Sequence, residues 1–228
     1  MAQGDNQPAG NGDMSLIERL QRLRAALVSD CLDRSGVRDN AMASRIRPLF
    51  PEAKVAGYAV TVQLAVVDDV PSDRDSWYKG ELQAVDALGP GDVMVVSTSA
   101  DGPFWGELLA TAARYRGARG VVIDAATRDT LQLIEMRFPV FAASINPLDS
   151  LGRLDVESMN VPVHSGGVLV HPGDLVLGDH DGVVVIPAEA AEEVIRRAEE
   201  KSSGEDLVRQ RLEEGMGTWE AFKKYGVI

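Results

Sequence analysis

The chain has 228 residues, of which 45% are hydrophobic and 25% charged, proportions average for a globular protein and sufficient to bury one sizeable core. No apolar run approaches the ~20 residues that span a bilayer, so a water-soluble protein with no membrane partner is expected. With 35 acidic against 23 basic residues, a formal charge of −12 and a pI near 4.7, attraction to phosphate backbones is unfavourable, and nucleic acid is excluded as the expected partner.

Residues 1–13, rich in Gly, Asn, Asp and Pro, read as a disordered lead without the basic and apolar regions of a secretion signal. Cys31 is the only cysteine, which rules out an intrachain disulfide and suits a reducing cytoplasm. From Ser15 to Cys31 the apolar positions Leu16, Ile17, Leu20, Leu23, Leu27 and Val28 recur at helical spacing, which predicts one amphipathic helix ending near Gly36. The row Val55 to Val67 reads as a buried strand, with Gly57 at a bulge or a close backbone approach.

Leu88-Gly-Pro-Gly-Asp92 and Val170-His-Pro-Gly-Asp174 each precede an apolar run, so the same Pro-Gly-Asp hairpin lead-in is expected twice, without an internal duplication. Phe104 to Arg116 reads as a helix and Gly120 to Asp124 as a short buried strand. Phe138 to Ala142 and Val183 to Pro187 supply further strands. Residues 188–214 are charged and strongly helical by propensity, with a break expected around Ser202-Ser203-Gly204, giving two C-terminal helices and a short tail.

Two local features have chemical potential. A glycine that opens a helix leaves backbone N–H groups unpaired, so Gly106, Glu107, Leu108 and Leu109 form a candidate carboxylate or phosphate cradle. Arg128 and Asp129 follow the strand GVVID and should lie beyond its carboxyl end, where α/β proteins place ligand-handling groups. The carboxylate suits a hard cation such as Mg²⁺ or Mn²⁺, and the guanidinium fork can grip a carboxylate or an oxyanion. His164, His171 and His180 lack metal-ligand spacing and read as turn or surface residues. Asp179 and Asp181 read as turn residues that satisfy backbone amides. Cys31 reads as a buried small hydrophobe, and Phe104 and Trp105 as either core or a pocket wall.

Glu107, twenty intervening residues and then Arg128-Asp129 resembles the acid-x20-Arg-Asp signature of the class II pyruvate aldolases, a family that also contains the regulator of ribonuclease activity A. The likeness extends through Val28 to Gly36, Gly106 to Leu109 and Gly178 to Pro187, and departs from the family's frequent Asp in having Glu107. It implies a layered α/β fold of the swivelling β/β/α type with an N-terminal helix. Residues 14–187 would form the domain, and residues 188–228 a helical arm packed on a neighbouring subunit of a trimer or dimer of trimers.

It further implies an aldolase cleaving a 4-hydroxy-2-oxo acid to pyruvate and a second carbonyl compound, with oxaloacetate decarboxylation as a side activity. Asp129 would bind Mg²⁺ or Mn²⁺ directly, and Arg128 would hold the substrate oxygen. The amides of Gly106 to Leu109 would take the pyruvyl carboxylate, and Glu107 would reach the metal through water. Glu205 of a neighbour would do likewise. Gly204 stands where the family has lysine, and Glu199 or Glu200 are alternatives. The rival reading is a non-catalytic regulator that binds a ribonuclease, against which stand the roughly 40 residues after Pro187. A methyltransferase finds no support in a glycine-rich loop.

Overall fold

The computed structural model describes residues 14–98, 100 and 102–226, so the lead at residues 1–13 lies outside the described residues. Its strands are β1 (Arg47–Pro48), β2 (Val55–Val66), β3 (Asp92–Ser97), β4 (Pro103–Trp105), β5 (Gly120–Thr127), β6 (Val140–Ile145), β7 (Leu154–Met159), β8 (Val163–Ser165), β9 (Val168–Val170), β10 (Leu175–Asp179) and β11 (Gly182–Ile186). The helices are α1 (Met14–Arg22), α2 (Ala25–Arg34), α3 (Lys79–Asp86), α4 (Glu107–Tyr115), α5 (Thr130–Met136), α6 (Ala191–Glu213) and α7 (Thr218–Tyr225). No helix among the described residues is long and apolar enough to cross a membrane.

One mixed sheet runs in the order β1-β6-β5-β3-β2-β10-β11, with β4 joined to β5 and β7 to β2, while β8 and β9 form a separate ribbon. The neighbours β2, β3, β5 and β6 are parallel, so their carboxyl ends open on one side. Period-two alternation divides their side chains between layers. In β3, Val93 and Val95 face an inner core with Met42, Ile46, Phe50 and the ribbon residues Val163, Val168 and Val170. Met94 and Val96 face the opposite way, into a core completed by Ala84 and Val85 of α3, Ala110 and Ala113 of α4 and Leu133 of α5. On β10 and β11, Leu175, Leu177, Val184 and Ile186 pack against α1, α2 and α6. Strand ribbon, sheet and helices thus form the β/β/α sandwich.

The sheet is nearly closed on itself. Its two edge strands are clamped by Arg47, whose Nη1 and Nη2 donate to the carbonyls of Asp181 and His180 at 3.1 and 3.0 Å. Inside, the Phe141 ring of β6 lies flat against Gly178 of β10, where an added Cβ would come within 2.8 Å of Cζ. Gly57 is a close backbone approach, as its sequence position suggested: a Cβ there would stand 2.3 Å from the Gly91 carbonyl oxygen.

Several elements depart from the sequence reading. The N-terminal helix is two helices, broken at Arg24, whose backbone is extended. The break frees the Ala25 N–H to donate to Asp179 Oδ2 at 2.8 Å, while Asp179 Oδ1 accepts from Asp181 N–H at 2.9 Å. Residues 103–105 are strand, and the helix begins only after extended Gly106. Neither Pro-Gly-Asp turn makes a hairpin, since β3 is parallel to β2 and β9 lies in a different sheet from β10. Both aspartates nevertheless do the same work, Asp92 accepting from Gly89 N–H at 2.8 Å and Asp174 from His171 N–H at 2.7 Å.

The break expected at Ser202 to Gly204 is absent, and the chain turns only after Glu213. A mid-helix glycine costs about 1 kcal/mol. Here ion pairs on both sides of it hold the helix to the N-terminal segment of its own chain: Arg19 with Glu192 and Glu199 at 2.6 and 2.8 Å and Lys201 with Asp30 before the glycine, and Arg24 with Glu205 at 2.5 Å just after it.

Candidate active site

Strands β4, β5 and β6 end side by side, and the loops beyond them build a cleft of about 310 Å³ at the carboxyl edge of the parallel strands. The Arg128 N–H and the Thr127 hydroxyl both donate to the Trp105 carbonyl, at 2.9 and 3.0 Å, which ties the end of β5 to the end of β4. The next residue, Asp129, takes a left-handed conformation with φ 55°. That turn aims its carboxylate back at α4, where Oδ2 accepts the Glu107 N–H at 3.1 Å. Gly106 makes the approach feasible, because a Cβ on it would lie 2.6 Å from that oxygen. The Arg128 Nη1 donates to the Leu148 carbonyl at 3.1 Å and lies 3.4 Å from Asp149 Oδ1, with Nε 3.9 Å from Asp129 Oδ2.

The structure therefore brings Gly106, Leu108, Leu109, Arg128 and Asp129 to one cleft. The amides of Leu108 and Leu109, in the first turn of α4, have no intrahelical acceptor, whereas that of Glu107 is taken by Asp129. The Glu107 side chain turns along its own helix, with Oε1 accepting the Thr111 hydroxyl at 2.8 Å, and is not part of the cleft lining. Glu205 lies on α6, paired with Arg24 and Lys201 of its own chain and also outside the lining. Phe104 and Trp105 satisfy both readings, being buried and lining the cleft, and Cys31 is buried, its thiol pushed up by burial. Among the described residues no cluster of three or more His, Cys, Asp or Glu is placed to hold a metal, and His164, His171 and His180 are exposed.

Four polar lining residues escaped the sequence reading: Tyr78, Glu81, Asp149 and Ser150. The Tyr78 hydroxyl donates to Asp149 Oδ2 at 2.6 Å, which raises the Tyr78 pKa. Burial pushes Asp149 up, but this bond, the amides of Leu151 and Ser150 and the Arg128 guanidinium outweigh it and hold its carboxyl below the usual range. Glu81 is the opposite case. Its burial raises it to about 7, although the Ser150 hydroxyl donates to Oε2 at 2.8 Å and opposes the shift. The loop of Asp149 and Ser150 follows β6 just as Arg128 follows β5, so the same strand-end rule would have found it. Nothing in the local sequence of Tyr78 and Glu81 marks them.

A stability profile follows from Glu81. The folded state binds its proton more tightly than the unfolded chain, whose carboxyl titrates near 4.5. Its burial is thus free of penalty below that pH and destabilises increasingly as the pH rises towards 7, by at most about 3 kcal/mol. Thermal denaturation between pH 5 and 8 is expected to show the wild type losing more stability than Glu81→Gln; parallel profiles would mean that this carboxyl is not responsible.

A nearly closed mixed sheet with an arginine–aspartate pair and a glycine-led helix tip at its strand ends defines an α/β protein with a strand-end ligand cleft. The chain belongs to the RraA-like family, described as Aldolase/RraA, which residues 25–185 match. It is 31% identical to a Halalkalibacterium halodurans protein provisionally named 4-hydroxy-4-methyl-2-oxoglutarate aldolase, over 87% of this chain and 89% of that one. Among solved structures it is similar to an uncharacterised protein of Pseudomonas syringae pv. tomato, at a TM-score of 0.83 and 26% identity over 98% and 99% of the two chains. It is also similar to Streptomyces coelicolor RraAS2, described as an unusual member of the RNase ES inhibitor RraA family, at a TM-score of 0.75 and 30% identity over 87% and 97%.

Proposed function

We propose that the chain is a divalent-metal-dependent aldolase that cleaves a 4-hydroxy-2-oxo acid to pyruvate and a second carbonyl compound. The observation that supports this reading is the pairing of Arg128 and Asp129 at the glycine-led tip of α4, inside a cleft. The donor set fits Mg²⁺ or Mn²⁺, which take one or two carboxylates and otherwise water. Asp129 would hold the ion through Oδ1, since Oδ2 serves the Glu107 amide, and the missing Cβ of Gly106 leaves room around this carboxylate. A cation there would supply Lewis-acid stabilisation of developing negative charge.

The chain's own groups would do the rest. The Leu108 and Leu109 amides would take the pyruvyl carboxylate at the helix N-terminus. The Arg128 guanidinium would face the 2-oxo oxygen and stabilise the enolate charge as the carbon–carbon bond opens. Glu107, on leaving Thr111, would move the proton to or from the substrate. Oxaloacetate decarboxylation passes through the same enolate and is the expected side reaction.

Exposed Leu82, Leu108, Leu131, Ile145 and Leu148 near these loops, and Trp219 stacked on Phe222 of α7, support the cover of a neighbouring subunit in a trimer or dimer of trimers. Glu205 would serve a neighbour only after leaving Arg24 and Lys201. The lone buried thiol is consistent with a cytoplasmic location.

The test is pyruvate release from 4-hydroxy-2-oxo acids by the pure protein with Mg²⁺, measured by a coupled assay and expected to stop on addition of EDTA. The relationship to RraAS2 supports a second reading, a regulator that docks on a ribonuclease. Recovery of a ribonuclease in a pull-down, with no pyruvate from any oxo acid, would decide for it.

A further inference from the structure

Arg128 stands between two carboxylates, and the fold decides which of them it faces. Its stem crosses the tip of α4, where a Cβ on Gly106 would lie 3.4 Å from Cγ and 3.6 Å from Nε. Beyond that point Nη1 donates to the Leu148 carbonyl at 3.1 Å and lies 3.4 Å from Asp149 Oδ1, while Nε is 3.9 Å from Asp129 Oδ2. The Asp149 side of this contest is held by its whole loop. Asn146 starts it, with its N–H donating to the Thr127 carbonyl at 3.1 Å and its Oδ1 accepting the Leu148 N–H at 3.1 Å. Arg153 Nη1 donates to the Asp149 carbonyl at 3.1 Å. The carboxylate itself takes the amides of Ser150 and Leu151 and, on Oδ2, the Tyr78 hydroxyl at 2.6 Å. Tyr78 reaches it from a left-handed backbone, φ 55°, at the start of α3. Such strain in a residue with a side chain persists only where its surroundings impose it, and it gathers at ligand sites.

A guanidinium fixed to one carboxylate through Nη1 is withheld from the other. Freed of Asp149, Arg128 could close the remaining distance to Asp129, and an Asp129 paired in that way would hold a divalent ion less well. The same swing would carry the guanidinium off the substrate oxygen, and a misplacement of about 1 Å can cost about 10²-fold in rate. Resting on the aldolase reading above, we propose that Asp149, clamped by the Tyr78 hydroxyl, is a positioning residue that holds the Arg128 guanidinium towards the 2-oxo oxygen and away from Asp129, leaving that carboxylate to the cation. Asp149 acts through Arg128 and not on the substrate itself. Every contact from Tyr78 to Asp149 to Arg128 lies within one subunit, so the arrangement does not depend on what a neighbour adds to the cleft.

The experiment is a double-mutant cycle on the full-length protein. Asp149→Asn keeps the shape and removes the charge, and Arg128→Ala removes the group through which that charge is proposed to act. Pyruvate release with Mg²⁺ gives kcat and KM. Mn²⁺ affinity is read by calorimetry at an ionic strength of about 0.15 M, where the distant charge of Asp149 is largely screened from the ion. Asp149→Asn is expected to lower kcat at least about tenfold with KM changed by less than about threefold, and to weaken Mn²⁺ binding at least about fivefold. In the Arg128→Ala background the same substitution is expected to change each quantity by less than about twofold, because no guanidinium remains to be released. The calorimetry stays readable where Arg128→Ala turns over too slowly to assay. Tyr78→Phe deletes one hydroxyl, and it is expected to move kcat and Mn²⁺ affinity in the same direction by roughly two- to fivefold. Equal losses in the two backgrounds, or wild-type kcat or Mn²⁺ affinity in Asp149→Asn, overturn the positioning role and leave the aldolase reading intact. A wild type that neither releases pyruvate from any oxo acid nor exchanges pyruvate methyl protons with D₂O overturns the aldolase reading and the role together.

Discussion

Asp129→Asn is expected to remove pyruvate-forming activity by roughly 10²–10³-fold, the scale seen when one electrostatic stabiliser is taken from a reacting centre. The substitution keeps the shape and an oxygen that can still accept the Glu107 N–H, so the left-handed turn and the start of α4 should persist. What it removes is the negative charge that would anchor a divalent ion beside Arg128. Circular dichroism should therefore match the wild type while pyruvate release collapses and Mn²⁺ affinity, read by calorimetry, falls in parallel. Wild-type turnover in this variant would dismiss the proposed role of the metal.

The largest loss of stability is expected from Phe141→Ala. The ring is fully buried and crosses the inner core from β6 to the bare backbone of Gly178 on β10, two strands that are not neighbours in the sheet. Truncation leaves a void that neither strand can easily close, because both are held by ladders on their other sides. Phe-to-Ala changes of this kind cost about 3–5 kcal/mol. Chemical denaturation should show the midpoint moving without a large change in slope; a shift under about 1 kcal/mol would mean that the interior collapses to refill the space.

The sequence made the layered fold accessible through two kinds of signal. Unbroken Val- and Ala-rich rows such as Val55 to Val66 can only be buried on both faces, and the glycines within them mark backbone approaches, as Gly57 does against Gly91. The arginine–aspartate pair was visible because it directly follows such a row. Periodicity could not reveal the break at Arg24 or the continuity through Gly204, since both depend on partners far along the chain: Asp179 in the first case, Arg24 and Asp30 in the second. The same applies to Glu81 and Tyr78. Each looks like an ordinary surface residue of a polar stretch until the chain brings the loop after β6 across from α3, where Ser150 and Asp149 meet them. The orientation of Glu107 likewise had no sequence marker, because Thr111 competes for it from one turn along α4.

The seam between β1 and β11 is asymmetric in what it asks of the sequence. Arg47 reads main-chain oxygens there and ignores whatever side chains residues 180 and 181 bear. Substitution of either of those two side chains would leave both acceptors in place, whereas loss of the guanidinium would remove both bonds at once. A saturation library across the three sites should come out lopsided, with broad tolerance on the turn and almost none at the clasp.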